Sequence, residues 1–278
     1  VSGRILDFYG GIPDLMAGRI RALHTLSFVD DPTRVLRAVR FERRLGFTIE
    51  ARTAELIQTA LPMLRRITGE RLRNELTLLL KERDPELSFL LLQQRGILEA
   101  IHPNFRLTDQ IVPRMNRARG AEPLKTMKPI VDVAEVSWHL LFTDVPNVMD
   151  VMERLLFSGA MVESILETNK LIHYPMTETK PSRITARLEG ISEMALFAAW
   201  LILEDPLARE AIQRYVETWR HVRPKTDGHM LQRLGIKPGP RYGAILARLR
   251  TARLDGVITT DEQEDQLLKE LIQNDGTE

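Results

Sequence analysis

Asp30-Asp31-Pro32-Thr33-Arg34-Val35-Leu36-Arg37-Ala38-Val39-Arg40-Phe41-Glu42-Arg43-Arg44-Leu45-Gly46 is the stretch that decides how the rest of the chain is read. Its punctuation is that of one helix: Asp31 suits the N-cap, Pro32 the first helical position, and Gly46 the position just past the end. At about 100° per residue, Val35, Ala38, Val39, Phe41 and Leu45 fall on one apolar arc. Arg34, Arg37, Arg40 and Arg44 gather on a neighbouring arc, with the carboxylates of Asp30 and Asp31 at its head. Four guanidiniums along one face repel each other unless something anionic lies beside them. An acid next to such a row can read a nucleobase edge with its first arginine, leaving the others for phosphates. A solvated face crossed by salt bridges is the other reading, and spacing alone does not choose between them.

Upstream, residues 4–9 read as a strand closed by a Gly10-Gly11 turn, and Arg19 to Leu23 as a second short apolar run. Two such strands are not stable by themselves, so they are expected at the edge of a sheet completed by residues before Val1. The chain opens on Val1-Ser2-Gly3 without an initiator methionine, and we expect it to be part of a longer protein. Downstream of Gly46 the pattern turns helical and stays so. Helices are expected at 51–61, at 70–81 with Thr68 as cap, and at 85–94 between Asp84 and Gly96. A polar, proline-punctuated stretch at 103–129, with room for one short helix, precedes helical segments near 130–142, 148–157, 161–173, 183–188, 192–203 and 207–221. Trp138, Trp200, Trp219 and Tyr174 stand in apolar helical contexts and are expected in the core.

The last segment has its own logic. Gly228 to Gly235 reads as a short helix, Lys237-Pro238-Gly239-Pro240 as a turn, and 241–252 as a helix. Leu254-Asp255-Gly256 interrupts it, and Thr260 with Gln263 forms a capping box for a final acidic helix. Between Arg220 and Arg253 nine Lys or Arg face a single acid, Asp227. The net charge of the whole chain is only +1, so the asymmetry is local. The turn offers backbone N–H groups at a helix start, flanked by Lys237 and Arg241, an arrangement suited to a phosphate. A plain helical hairpin is the alternative.

Composition bounds the classes available. Across 278 residues, 44% are hydrophobic and 28% charged, enough for a folded chain with a sizeable core. The absence of cysteine excludes a disulfide scaffold and thiolate metal sites, and fits a reducing cytoplasm. The longest apolar run, Met194 to Leu203, is far short of the roughly 18 residues of a membrane span. No signal peptide, GxSxG, P-loop or GxGxxG occurs. The six histidines have no metal-ligand spacing, and no carboxylate pair is spaced for a two-metal site, so no metal ligand or catalytic residue is assigned within the chain.

Three front motifs then carry a family resemblance. Gly3-Arg4-Ile5-Leu6-Asp7-Phe8-Tyr9-Gly10-Gly11-Ile12-Pro13-Asp14-Leu15 with Arg19-Ile20-Arg21, then Asp30 to Phe41, then Glu70-Arg71-Leu72-Arg73-Asn74-Glu75-Leu76, resemble in order the class II tRNA nucleotidyltransferases and bacterial poly(A) polymerases. Leu231 to Gly256 is similar to the tail of many members. Asp30 departs from the family's usual Glu.

The resemblance implies a mainly α fold: an elongated series of neck, body and tail helices with a short β remnant of the catalytic head. Its parts would be the edge of the head (1–28), the neck with the nucleotide-selecting motif (29–104), the body (105–222) and an RNA-binding tail (223–278). It implies that Asp31 and Arg34 hydrogen-bond the Watson–Crick edge of incoming ATP or CTP, and that Arg37 and Arg40 face the nucleotide phosphates and the cleft. Lys237, Arg241 and Arg248 would grip the tRNA backbone. The Mg2+ ions would be held by head residues upstream of Val1, leaving this chain inactive alone while the full cytoplasmic enzyme adds CMP and AMP to tRNA 3′ ends. Poly(A) synthesis, or a non-catalytic helical RNA-binding module, are the alternatives.

Overall fold

The computed structural model describes residues 6–127, 132–174 and 176–274. Its described elements are α1 (Gly11–Met16), β1 (Arg19–Ile20), α2 (Ser27–Asp30), α3 (Arg34–Leu45), β2 (Thr48–Ile49), α4 (Ala51–Ala60), α5 (Gly69–Leu80), α6 (Pro85–Gln94), α7 (Ile97–Ile101), α8 (Ile111–Ala118), α9 (Val133–Phe142), α10 (Val148–Arg154), α11 (Gly159–His173), α12 (Pro181–Leu188), α13 (Glu193–Ile202), α14 (Pro206–Glu217), α15 (Gly228–Arg233), α16 (Pro240–Leu254) and α17 (Asp261–Asn274). Short 3-10 turns follow α4 (Leu61–Arg66) and α14 (Trp219–His221). The mainly helical expectation holds, and no described helix is long and apolar enough to cross a membrane. The elements form two compact units, one of residues 6–121 and 132–170, the other of 122–127 and 171–274.

In the first unit the core is built on helix-spaced apolar residues and one aromatic cluster. Trp138 stacks on Phe142 at 5.1 Å and meets Phe157 edge-on at 5.0 Å, while Phe105 closes on Phe142 at 5.8 Å. The buried stripe of α3 is Val35, Leu36, Ala38 and Val39. That rotates the expected arc: Leu36 is inside, Phe41 is half-buried and Leu45 is exposed. Gly46, at φ 65°, ends the helix as expected, and Phe47 N–H closes back onto the Glu42 carbonyl at 3.1 Å.

The strand expected over 4–9 is absent from residues 6–9, which are irregular; residues 4 and 5 lie outside the described residues. The Asp7 carboxylate is the reason. It accepts the N–H groups of Gly11 and Ile12 at 2.8 Å each and of Tyr9 at 3.3 Å, bending the chain into α1. Those bonds, Ile12's first, hold the Asp7 carboxyl below the usual range. The second run shortens to β1, and its partner lies within this chain: β1 pairs in parallel with β2, Arg19 opposite Thr48 and Ile20 opposite Ile49. The paired strands thus lie together just past the end of α3.

In the second unit, α15 to α17 form a small core of Leu231, Ile236, Ile245, Leu249 and Leu268. The capping box is present: Gln263 Oε1 accepts from Thr260 N–H at 3.2 Å, and Thr260 Oγ1 accepts from Gln263 N–H at 3.3 Å. Asp255 of the Leu254-Asp255-Gly256 break accepts the Ser182 N–H at 2.9 Å and hydroxyl at 2.8 Å, capping the start of α12. Trp138 is in the core, Trp200 and Trp219 are half-buried, and Tyr174 is exposed, against the expectation for that residue. Tyr174 follows the end of α11, where its helix-derived apolar face has ended.

Candidate nucleotide-selecting site

Asp31 sits between α2 and α3 and shapes the entry to the longer helix. Arg34 N–H bonds the Asp31 carbonyl at 3.1 Å and Val35 N–H the Pro32 carbonyl at 3.1 Å, so Pro32-Thr33 form a tight turn and the α-helix begins two residues later than expected. Oδ1 of Asp31 accepts the Thr33 hydroxyl at 2.7 Å, the Thr33 N–H at 3.2 Å and Nη2 of Arg71 at 3.0 Å. Burial works to raise the Asp31 carboxyl, but the Thr33 bonds and the charges of Arg71 and Arg34 outweigh it and hold the group below the usual range. All three donors converge on one oxygen. Arg34 is exposed, and its Nη1 is anchored to the Ser27 carbonyl at 3.2 Å and hydroxyl at 3.0 Å. Its remaining donors stand beside the carboxylate that they help to ionise.

The structure therefore brings Asp31 and Arg34 together and adds Arg71 from the first turn of α5. Arg71 lay inside a quoted motif without a role; no spacing rule links residues forty positions apart, so only the fold reveals it. Arg37 is exposed and carries no ion pair among the described residues. Arg40 is turned instead toward Glu75 on α5 at 3.6 Å, with its guanidinium over the Phe41 ring. Arg44 lies 4.0 Å from Glu82.

The basic run of the tail is dispersed by the fold. Arg220 pairs with Glu193, Arg250 with Glu189, Lys225 with Asp261 and Asp265, and Arg253 with Asp261 and the fully buried Glu264. Arg241 donates to the Ile272 carbonyl at 3.0 Å, close to the end of α17. Lys237, Arg233 and Arg248 are exposed, with no ion pair among the described residues.

Comparison with known proteins follows this geometry. The family described as the probable RNA and SrmB-binding site of polymerase A matches residues 46–107, which places that description on β2 through α7, not on the tail. The A-adding tRNA nucleotidyltransferase of Geobacter sulfurreducens is 33% identical over 94% of this chain and 32% of its own length. That of Halalkalibacterium halodurans is 28% identical over 96% of this chain and 62% of its own. Among solved structures, the Thermotoga maritima CCA-adding enzyme complexed with tRNA superposes with a TM-score of 0.74 at 28% identity, over 97% of this chain and 67% of that one. A CCA-adding enzyme in complex with ATP gives 0.75 at 29% identity, over 96% and 66%. The chain thus spans from about a third to about two thirds of the length of these curated relatives.

The fold is that of the helical part of CCA-adding enzymes. Over nearly its whole length the chain is similar to A-adding and CCA-adding tRNA nucleotidyltransferases, and over residues 46–107 to the RNA-binding region of polymerase A.

Proposed function

We propose that this chain is the base-selecting and RNA-gripping part of an enzyme that adds nucleotides to tRNA 3′ ends in the cytoplasm. The observation that carries the reading is the division of labour on Asp31: Oδ1 is held by Thr33 and Arg71, leaving Oδ2 as an oriented acceptor beside the donors of Arg34. Cytosine and adenine each present an amine donor next to a ring-nitrogen acceptor, which this acceptor–donor pair matches. Uracil and guanine present a carbonyl next to an N–H, which it opposes. ATP and CTP are the substrates this predicts, with protein in place of a template strand.

Arg37, exposed along the same helix, is available to a nucleotide phosphate, whereas Arg40 acts mainly through Glu75. Lys237 and Arg248 would track an RNA backbone, and Arg241 would position the turn that carries Lys237. The four-part division at 1–28, 29–104, 105–222 and 223–278 is kept as a functional scheme for head edge, neck, body and tail. The exposed Phe8, Leu15, Met16 and Leu23 offer an apolar surface on which the part that makes and breaks bonds would pack.

Among the described residues no three His, Asp or Glu side chains gather as a metal site. Their donor set does not fit the Mg2+ that nucleotidyl transfer employs, so no step through that ion is derived from this chain. Incubated alone with ATP, CTP, Mg2+ and a tRNA lacking its CCA end, it is expected to leave the RNA unextended. A-addition, full CCA addition and poly(A) synthesis all use the base edge described here. The match over 46–107 favours poly(A) synthesis as the second reading, and the likeness to A-adding tRNA nucleotidyltransferases favours the first.

Titrating the chain with each of the four nucleoside triphosphates tests the assignment. CTP and ATP should bind about 10-fold or more tighter than UTP and GTP, and Arg34→Ala should remove that difference. Equal binding of all four, or a preference indifferent to Arg34, would refute it.

A further inference from the structure

Glu42 stands where a helix of this pattern has no local use for an acid. At about 100° per residue it projects between Ala38 and Val39, inside the buried arc of α3. A charge on that face is unfavourable unless paired. Arg95, the residue that ends α6, closes on both carboxylate oxygens at 2.6 and 2.9 Å, and the N–H of Ile49 in β2 adds a third bond at 3.2 Å. Arg95 is itself fixed: its carbonyl accepts from Gln58 Nε2 at 3.2 Å and its N–H bonds the Leu91 carbonyl at 3.1 Å. The side chains are only 11% and 25% exposed. The other ion pairs of α3, Arg40 with Glu75 on α5 and Arg44 with Glu82 just beyond it, are single and longer, at 3.6 and 4.0 Å.

An apolar residue at position 42 would fill this place without fixing an angle. A two-pronged guanidinium–carboxylate pair fixes one. Turning α3 by about 20° would carry its side-chain tips on the order of 2 Å, and a displacement of about 1 Å is enough to spoil oriented contacts. We propose that the Glu42–Arg95 pair is a positioning device that sets the rotation of α3 about its axis, and through it the directions of Asp31 and Arg34, so that it governs discrimination between bases without touching the nucleotide. This rests on the base-reading role of Asp31 and Arg34 given above.

The test is the ratio of CTP to UTP affinity, measured with the chain, its Glu42→Gln and Arg95→Lys variants, and Glu99→Gln as a control that breaks the exposed pair with Arg106. Thermal unfolding is followed in parallel. Glu42→Gln should lower the ratio at least about 5-fold, chiefly through weaker CTP binding. Arg95→Lys keeps the charge, loses the two-pronged grip, and should lower the ratio in the same direction; Glu99→Gln should leave it unchanged. A wild-type ratio in folded Glu42→Gln overturns the proposal, and so does an equal loss of CTP and UTP. Should Glu42→Gln not fold, an undiminished ratio in Arg95→Lys overturns it. If the unaltered chain does not prefer CTP to UTP, base reading itself fails and this inference falls with it.

Discussion

In α3, Arg34 and Arg37 remain exposed while Asp31 is held beside them by a guanidinium from α5. In the tail, Arg253 and Lys225 are turned onto acids of α17, and Arg250 onto Glu189 just past α12. Both regions look alike as runs of positive charge. They differ in where the free cations stand: beside a held carboxylate at the head of α3, where the later Arg40 and Arg44 are paired, and scattered among paired ones in the tail. A count along the chain describes a field only where folding does not cancel it, whereas spacing on a single helix survives folding because the helix itself fixes the geometry. This is why the acid-then-arginine pair stays together at the head of α3, while Arg220, Lys225, Arg250 and Arg253 of the basic run are paired with acids.

The sharpest contrast should come from the tail's buried pair. Glu264 is fully buried and holds Thr226, the Lys225 N–H and Arg253 at once. Glu264→Gln takes the buried carboxylate from the Thr226 and Lys225 donors and from Arg253, which keeps only the exposed Asp261, and should cost about 3 kcal/mol in unfolding free energy of the second unit, read from denaturant melts. Were the tail's charges merely solvated, the loss would be below about 1 kcal/mol.

Asp31→Asn should act in the opposite manner, leaving stability nearly intact while the preference for CTP and ATP over UTP falls by about 10-fold or more in competition titrations. Arg37→Ala, by contrast, should weaken all four nucleotides alike and keep the ratio.

A third effect is set by pH. His139 is buried, with Nδ1 2.8 Å from the Glu135 carbonyl oxygen and Nε2 2.9 Å from the Ser164 hydroxyl. Burial is the main cause holding its imidazole below the usual range, against the opposing Glu135 bond and the charge of Glu167. The unfolded chain therefore takes up the proton first as pH falls through about 6.5. Its contribution to stability is complete above that value and declines below it. Melts between pH 8 and pH 5 should show this decline in the chain and a shallower one in His139→Gln.

The smallest effect separates free from cancelled cations within the tail. Lys237→Ala or Arg248→Ala should each reduce the salt dependence of RNA binding by roughly 0.7 to 0.9 in slope, and Arg250→Ala, already paired with Glu189, should not.

Local signals carried much of the fold. Pro85–Gln94 matches its expected limits, and the Gly46 stop, the Thr260–Gln263 box and the hairpin at 228–252 appear where the residues put them. The failures share a cause in distance. Asp7 and Asp255 are caps, one bending its own chain away from a strand and the other reaching α12. Arg71 and Arg95 meet their acids only once helices pack, and Leu36 replaces Leu45 inside because the neighbours of α3 choose which edge of a broad apolar arc is covered. The site's first pair was legible because both members lie on one turn. Its supports were not.

A structure of this chain with CTP bound would test the central claim most directly. It should show the cytosine amine within hydrogen-bond distance of Asp31 Oδ2 and the ring nitrogen facing Arg34, with Arg71 still on Oδ1. Cytosine bound elsewhere, or lying at α3 with its edge turned from both residues, would contradict the account.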